Sequence, residues 1–322
     1  MARPEILPFA DEHLDGAAFL LAERHRRHRL AEPLLPPRYE DPTEARAEVE
    51  ALWKQEHASG AAALEDGKVT GYLLGAPRDD PLWGANVWVE LAGHAVGEPE
   101  LARDLYGLAA ARWADEGRTR HYVLVPASDS GLVDAWFHVG FGLQHVQAIR
   151  ELSGEQETSA ASSIQVGTAE ERDLDDLVAL APLLAEHQAL SPVFGSVPPD
   201  DPDEVRVEIL EELARPEVGN LVAEVDDRVV SNFCVHRVEE SSMHIGLGRP
   251  EGASFLGFAV THPDVRGTGA GLALTEASFH WARERGYEVM VTDWRATNLL
   301  SSRFWPRRGF RPTFLRLYRS IP

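Results

Sequence analysis

The residue types and spacing best suited to chemistry lie in one segment, Arg266-Gly267-Thr268-Gly269-Ala270-Gly271. Glycines at alternate positions remove side chains where a backbone must approach a ligand closely. Successive N–H groups bared in this way converge on one anion, and a helix starting directly behind them adds the positive end of its dipole. Such a site suits a diphosphate. Two familiar phosphate loops do not match the spacing. A nucleoside triphosphatase loop ends in Gly-Lys-Ser/Thr, whereas Gly271 is followed by Leu272. A dinucleotide fingerprint runs G-x-G-x-x-G, whereas this one runs G-x-G-x-G and opens with an arginine.

The elements that must hold this segment can be read on either side of it. Residues 253–260 form a run apolar on both faces, as a central strand requires, and a helix follows over 272–285. Upstream, 163–168 reads as a strand and 171–190 as one amphipathic helix, with Leu174, Leu177, Leu180 and Leu184 at helical spacing. A breaker, VPPDDP at 197–202, precedes a second helix over 203–214. Strands over 220–225 and 229–238 make a hairpin across Asp226-Asp227. Downstream come a strand at 289–292, a short helix near 301–306 and closing strands.

The chain has 322 residues, which suggests about two domains. A polar stretch at 153–163, SGEQETSAASS, reads as a linker between 1–152 and 164–322. The halves also repeat a pattern. Trp136 and Trp305 each stand four residues before a Gly-Phe pair, Gly140-Phe141 and Gly309-Phe310. Upstream of each, a helix carrying Trp113 or Trp281 ends at a glycine. The expected class is α/β (α+β): two tandem domains, each a mixed, mostly antiparallel sheet covered by helices.

Charge and composition narrow the function. A net charge of −21 argues against nonspecific nucleic-acid binding, which needs Lys and Arg to neutralise phosphates. There is no apolar stretch long enough for a membrane span and no apolar run at the N-terminus to serve as a signal, so the expectation is a cytoplasmic protein without a membrane partner. The single cysteine, Cys234, excludes an internal disulfide and multi-cysteine metal sites, and its apolar setting suggests a buried, inert thiol. His25-Arg-Arg-His28 reads as a solvated helix face, and no metal is expected.

The segment at 257–274 resembles the acyl-CoA signature of the GNAT family of N-acetyltransferases, Gln/Arg-x-x-Gly-x-Gly/Ala after a strand, with Arg266, Gly269 and Gly271 at the matching positions. Asn298 at the later helix and Arg308-Gly309-Phe310 continue the likeness, which spans roughly 164–319. The resemblance implies acetyl-CoA or another acyl-CoA as cosubstrate. The backbone of Val265, Arg266, Gly267, Thr268, Gly269, Ala270, Gly271 and Leu272 would bind its pyrophosphate. Ala259 and Val260 would pair with the pantetheine, with Asn298, Ser301 and Trp305 along its course, and the amide of Val260 would stabilise an oxyanion. Beyond Asp293 the chain has seven arginines, among them Arg316 and Arg319, and no acid, which suits a polyphosphate cofactor. In the first half the glycines are replaced by a stretch with Glu98, Glu100 and Asp104, and Asp129 stands where Asn298 stands. That half reads as a degenerate copy without cofactor.

Catalytic groups are less clear. Many relatives carry a tyrosine as general acid four residues before the Gly-Phe glycine, but here it is Trp305, whose indole is no acid. Tyr318 is a substitute, and the candidates for general base are Asp293, then His236 and Glu239. His262 reads as a turn element. The expectation is acylation of a small-molecule primary amine by direct attack in a ternary complex, in a monomer or homodimer. A CoA-binding sensor without catalysis and a peptide or protein N-acetyltransferase are the alternatives.

Overall fold

The computed structural model describes residues 4–79, 81–152, 164–195 and 201–322. The expected linker at 153–163 and residues 197–200 of the breaker lie outside the described residues. Contacts divide the chain into two units. The first is Met1–Gln147 with Ile245–Pro250 and Pro312–Pro322; the second is Ala148–His244 with Glu251–Arg311.

The first unit contains strands β1 (Glu5–Pro8), β2 (Ser59–Glu65), β3 (Lys68–Gly75), β4 (Asn86–Val89), β5 (His94–Val96) and β6 (Arg120–Pro126), with helices α1 (Leu14–Ala31), α2 (Pro42–Trp53), α3 (Leu101–Asp115) and α4 (Ser130–His138). Strand β7 (Gly142–Glu151) is divided between the units. The second unit contains α5 (Leu174–Leu180), α6 (Pro182–Ala189), α7 (Pro202–Leu213), α8 (Ala270–Glu284) and α9 (Ser301–Phe304), with strands β8 (Gln165–Thr168), β9 (Gly219–Val225), β10 (Arg228–Arg237), β11 (Ser254–Thr261) and β12 (Val289–Arg295). The last strand, β13 (Arg311–Ser320), falls almost wholly in the first unit, where it pairs antiparallel with β6 from Phe314↔Pro126 to Ser320↔Arg120.

Within each unit the strand pairings are mixed and mostly antiparallel. In the first unit β1–β2, β2–β3 and β3–β5 are antiparallel and β4–β6 parallel. In the second, β8–β9, β9–β10 and β10–β11 are antiparallel and β11–β12 parallel. The repeat extends to turn chemistry. The hairpins turn at Asp66-Gly67 and Asp226-Asp227, all four with positive φ, the geometry that matches strand twist. Asp41 and Asp201 each cap a helix whose first residue is proline, Pro42 or Pro202, where the missing N–H costs nothing. Among the described residues no helix is long and apolar enough to cross a membrane.

Two expectations are corrected. The helix read over 171–190 is a 3-10 turn followed by α5 and α6, which meet at Pro182. Proline has no N–H to donate and its ring crowds the preceding turn, so the leucine period continues while the helix restarts. The His25–His28 segment is not a solvated face either. Arg24, His25 and His28 are buried, and only Arg26 and Arg27 are exposed. The α1 helix packs on α2, β3 and β5, so this turn has no solvent side at those three positions.

Burial holds these histidines neutral. His25 donates from Nε2 to the Pro36 carbonyl at 2.7 Å, and His94 from Nε2 to the Leu124 carbonyl at 2.8 Å. Desolvation lowers the His25 pKa to about 4 and those of His28 and His94 to about 3. Unfolding returns each to about 6.5, so the unfolded chain binds more protons below that value. Their contribution is complete above pH 6.5 and is lost as pH falls toward 3–4, each group steepening the loss by up to about 1.4 kcal/mol per pH unit. Urea midpoints measured at pH 7 and pH 5 should therefore fall with acid, and His28→Leu should flatten the dependence.

Candidate functional site

The pairing of β11 with β12 covers Ser254↔Met290 to Leu256↔Thr292 and goes no further, although β11 continues to Thr261 and β12 to Arg295. Gly257 is skipped in the register with β10, where Cys234↔Phe258 is followed by Val235↔Leu256. This bulge bends β11 at the point where it leaves β12. The His262 amide donates to the Val230 carbonyl on the β10 side at 2.8 Å. Strand alternation then turns the amides of Ala259 and Thr261 to the open edge, and that of Val260 toward β10. The edge donor near the bend is therefore Ala259 rather than Val260.

From this edge the chain enters a tight turn. His262 Nδ1 accepts from the Asp264 amide at 3.3 Å, as a turn element does, and Arg266 folds back with Nε donating to the Thr261 carbonyl at 3.4 Å. Gly267 (φ +83°) and Gly269 (φ +104°) occupy the left-handed region, which glycine alone enters without strain. Gly271 differs. Its φ is ordinary, and a Cβ there would stand 3.5 Å from Thr261 Oγ1 and 3.9 Å from Phe304, normal contact distances. Neither backbone strain nor crowding explains this glycine. The first i→i−4 bond of α8 runs from Ala273 to Gly269, so the amides of Ala270, Gly271 and Leu272 precede it.

Beyond the opening of β12, Asn298 is buried and accepts at Oδ1 from the amides of Leu300 (3.1 Å) and Ser301 (3.4 Å), while His187 Nε2 on α6 lies 3.2 Å away. It fixes the start of α9, which brings Phe304 opposite Gly271. Asp129 caps α4 in the same way, accepting from the Leu132 amide at 3.0 Å.

The other face of β11 borders a cavity of about 460 Å³ in the second unit, with Phe258 and Cys234 in its wall and Glu208, Glu211 and Glu212 contributed by α7. These acids stand at i, i+3 and i+4, the spacing that places three side chains on one helix face. Glu212 Oε1 lies 3.8 Å from His236 Nε2, and Glu212 Oε2 accepts from the Cys234 thiol at 3.9 Å. On its far side His236 Nδ1 is 3.6 Å from Glu240. Burial and the Glu212 charge push the Cys234 thiol well above its ordinary pKa, so it stays protonated and inert as its setting suggested. Glu212 and Glu240 carried no motif. The only sequence signal was the acidic spacing of α7, which also describes a solvated helix.

The remaining candidates are dispersed. Asp293 is the first β12 residue beyond the last β11 pair, half-buried, on the same strand face as Arg295, whose Nε donates to Gln188 of α6 at 2.7 Å. Glu239 is exposed in a 3-10 turn after β10. Tyr318 belongs to the first unit, its ring packed 4.9 Å from that of Tyr122. Arg316 and Arg319 are in that unit too, where Arg316 donates to Gln144 at 2.8 Å and Arg319 to the Val139 carbonyl at 2.6 Å, so neither belongs to the unit that holds the glycine turn. Trp305 is a core residue, ringed by Phe304, Phe310 and Phe233 at 4.9, 5.6 and 6.1 Å. Its first-unit counterpart Trp136 packs on Phe141 at 4.9 Å. Trp305→Ala should cost about 3–5 kcal/mol in a urea titration.

In the first unit the equivalent of β11 is two short strands. β4 takes the parallel partner, β6, and β5 the antiparallel one, β3. The buried Arg24 enters the break, donating from Nη2 to the Leu91 carbonyl at 2.5 Å and from Nη1 to the His94 carbonyl. His94 spans to Leu124 of β6. Side chains of the unit itself thus satisfy the backbone edge that the second unit leaves open.

The sequence pattern of the acetyltransferase (GNAT) family matches residues 184–310. Among solved structures, a GCN5-related N-acetyltransferase from Sphaerobacter thermophilus is similar at TM-score 0.58 and 16% identity, covering 99% of this chain and 96% of its own. A GCN5-related glucosamine N-acetyltransferase region of a fungal multi-domain β-N-acetylglucosaminidase is similar at TM-score 0.52 and 14% identity, over 99% of this chain and 38% of that longer one. No curated protein matches the sequence. The open strand edge, the glycine turn and the family match coincide in one stretch of chain: residues 184–310 carry the sequence pattern of the GNAT acetyltransferase family, in a chain that has the GNAT fold along its length.

Proposed function

We propose that the second unit transfers an acyl group, acetyl in the first instance, from acyl-CoA to the primary amine of a small cationic molecule. The observation that carries this reading is the position of Phe258. It lies on the half of β11 that has parted from β12, and it also lines the acidic cavity. A thioester laid along the open edge and an amine drawn in by Glu208, Glu211 and Glu212 would meet across that one strand. The lining has three carboxylates and one cation, Arg215, which is itself paired with Glu217 and Glu240 at 2.9 Å. Cations are favoured there.

When bound, acyl-CoA supplies the activated acyl thioester. The chain's own groups have three tasks. The amides of Gly267–Leu272 and the dipole of α8 hold the diphosphate. The Ala259 amide directs a hydrogen bond to the open edge, where a carbonyl oxygen gains charge during attack. Glu212, backed by His236, takes the proton that the amine nitrogen loses as its bond to the acyl carbon forms and the carbon–sulfur bond breaks. The attack is direct, in keeping with the protonated, buried Cys234. The first unit holds no acyl-CoA, because Arg24 and His94 close its edge and Glu98 and Glu100 precede α3 in place of glycines.

Calorimetric titration of acetyl-CoA, followed by thiol release with a panel of amines, tests the reading. One binding site and release of free thiol with polyamines or amino sugars are expected; binding without release for any amine would leave a CoA-binding sensor. One feature favours that second reading: Trp305, the residue at the usual acid position, is locked in the core.

A further inference from the structure

The first unit has a cavity of its own, about 340 Å³, between α1 and the loop from β6 into α4. It belongs to none of the features assigned above to acyl transfer. Arg24, Arg27 and His28 line it from one side, and Ser130 and Gly131 open α4 on the other. Arg24 and His28 are each 3% exposed. Among the described residues the Arg24 Nε and the ring nitrogens of His28 have no well-formed hydrogen bond, although the Thr313 backbone lies near enough to His28 to favour its protonation slightly. Polar atoms left this way in a buried wall cost free energy unless something satisfies them.

We propose that this cavity binds a small molecule through a carboxylate or phosphate group. Arg27 is exposed at the lining and forms no ion pair among the described residues. The α4 helix has nine residues, and Asp129 uses its side chain on the Leu132 amide, which leaves the amides of Ser130 and Gly131 facing outward. Asp129 is the one carboxylate in the lining, set against two arginines, so the cavity keeps a net positive charge with His28 neutral. His28 can then donate one N–H to the ligand. The volume falls at the small end of ligand sites and has room for a few atoms beyond the anionic group.

The glycine turn of the second unit attracts anions as well, so the test uses the full chain carrying Gly269→Glu. Inorganic phosphate and succinate are titrated separately against chloride at equal ionic strength, with calorimetry and thermal shift as readouts. Saturable binding of either probe in the millimolar range is expected, and the tighter probe identifies the anionic group. Arg27→Glu should weaken binding at least tenfold, whereas Arg112→Glu, an equal charge reversal on the exposed side of α3, should leave it unchanged. Failure of both probes to saturate, or equal losses in the two variants, overturns the proposal. Neither result bears on acyl-CoA binding by the second unit.

Discussion

Replacing Gly269 with glutamate is expected to weaken acetyl-CoA binding about a hundredfold or more, roughly 3 kcal/mol. Two effects combine. The residue sits at φ +104°, so any side chain strains the turn, and the new carboxylate faces the diphosphate. Gly271→Ala separates them. Its Cβ has ordinary clearance from Thr261 and Phe304, so the fold should be unaffected and the melting temperature move by no more than about 1 °C. If the space above Gly271 belongs to the ligand, calorimetry should still register a loss of about tenfold. Unchanged binding in Gly271→Ala, with collapse in Gly269→Glu, would mean that strain alone explains the glycines.

Glu212→Gln is expected to lower kcat about a hundredfold or more while leaving the affinity for acetyl-CoA in place, the range found when a general base is removed. Asp293→Asn is the matched comparison, since Asp293 also stands past the point where β11 and β12 part. If Asp293→Asn takes the large loss and Glu212→Gln only raises the KM for the amine, Glu212 attracts the substrate and Asp293 is the base.

Much of the second unit was legible because its signals are local. The hairpin turn, the helix caps and the glycine run are each decided within a few residues by backbone sterics. Boundaries read from the sequence fall close to those seen, as with 253–260 against Ser254–Thr261. Features decided by distant partners were not legible. The arginines near the C-terminus looked like one basic group, but β13 carries Arg316 and Arg319 into the first unit, and no local pattern says which strand a segment will pair with. Charge also hid burial. Arg24, His25 and His28 read as solvated because they are polar, yet inside the unit backbone carbonyls at His94 and Leu91 accept from the terminal nitrogens of Arg24, and that of Pro36 from Nε2 of His25. In α7 the reverse held, since an acidic face facing a cavity and one facing water have the same spacing.

The placement of β13 has a consequence for how the chain can be made and cut. The first unit is synthesised first, yet it cannot be finished until Ile245–Pro250 and Pro312–Pro322 have emerged. During translation its β6 edge must therefore wait, without its partner strand, while the entire second unit is produced. A protease cut or a stop codon after Arg311 would spare the glycine turn and instead damage the half of the protein farthest from it in sequence. Expressed separately at 152 and 164, neither piece corresponds to a unit, so a fragment that fails to fold says nothing about whether its chemistry is intact.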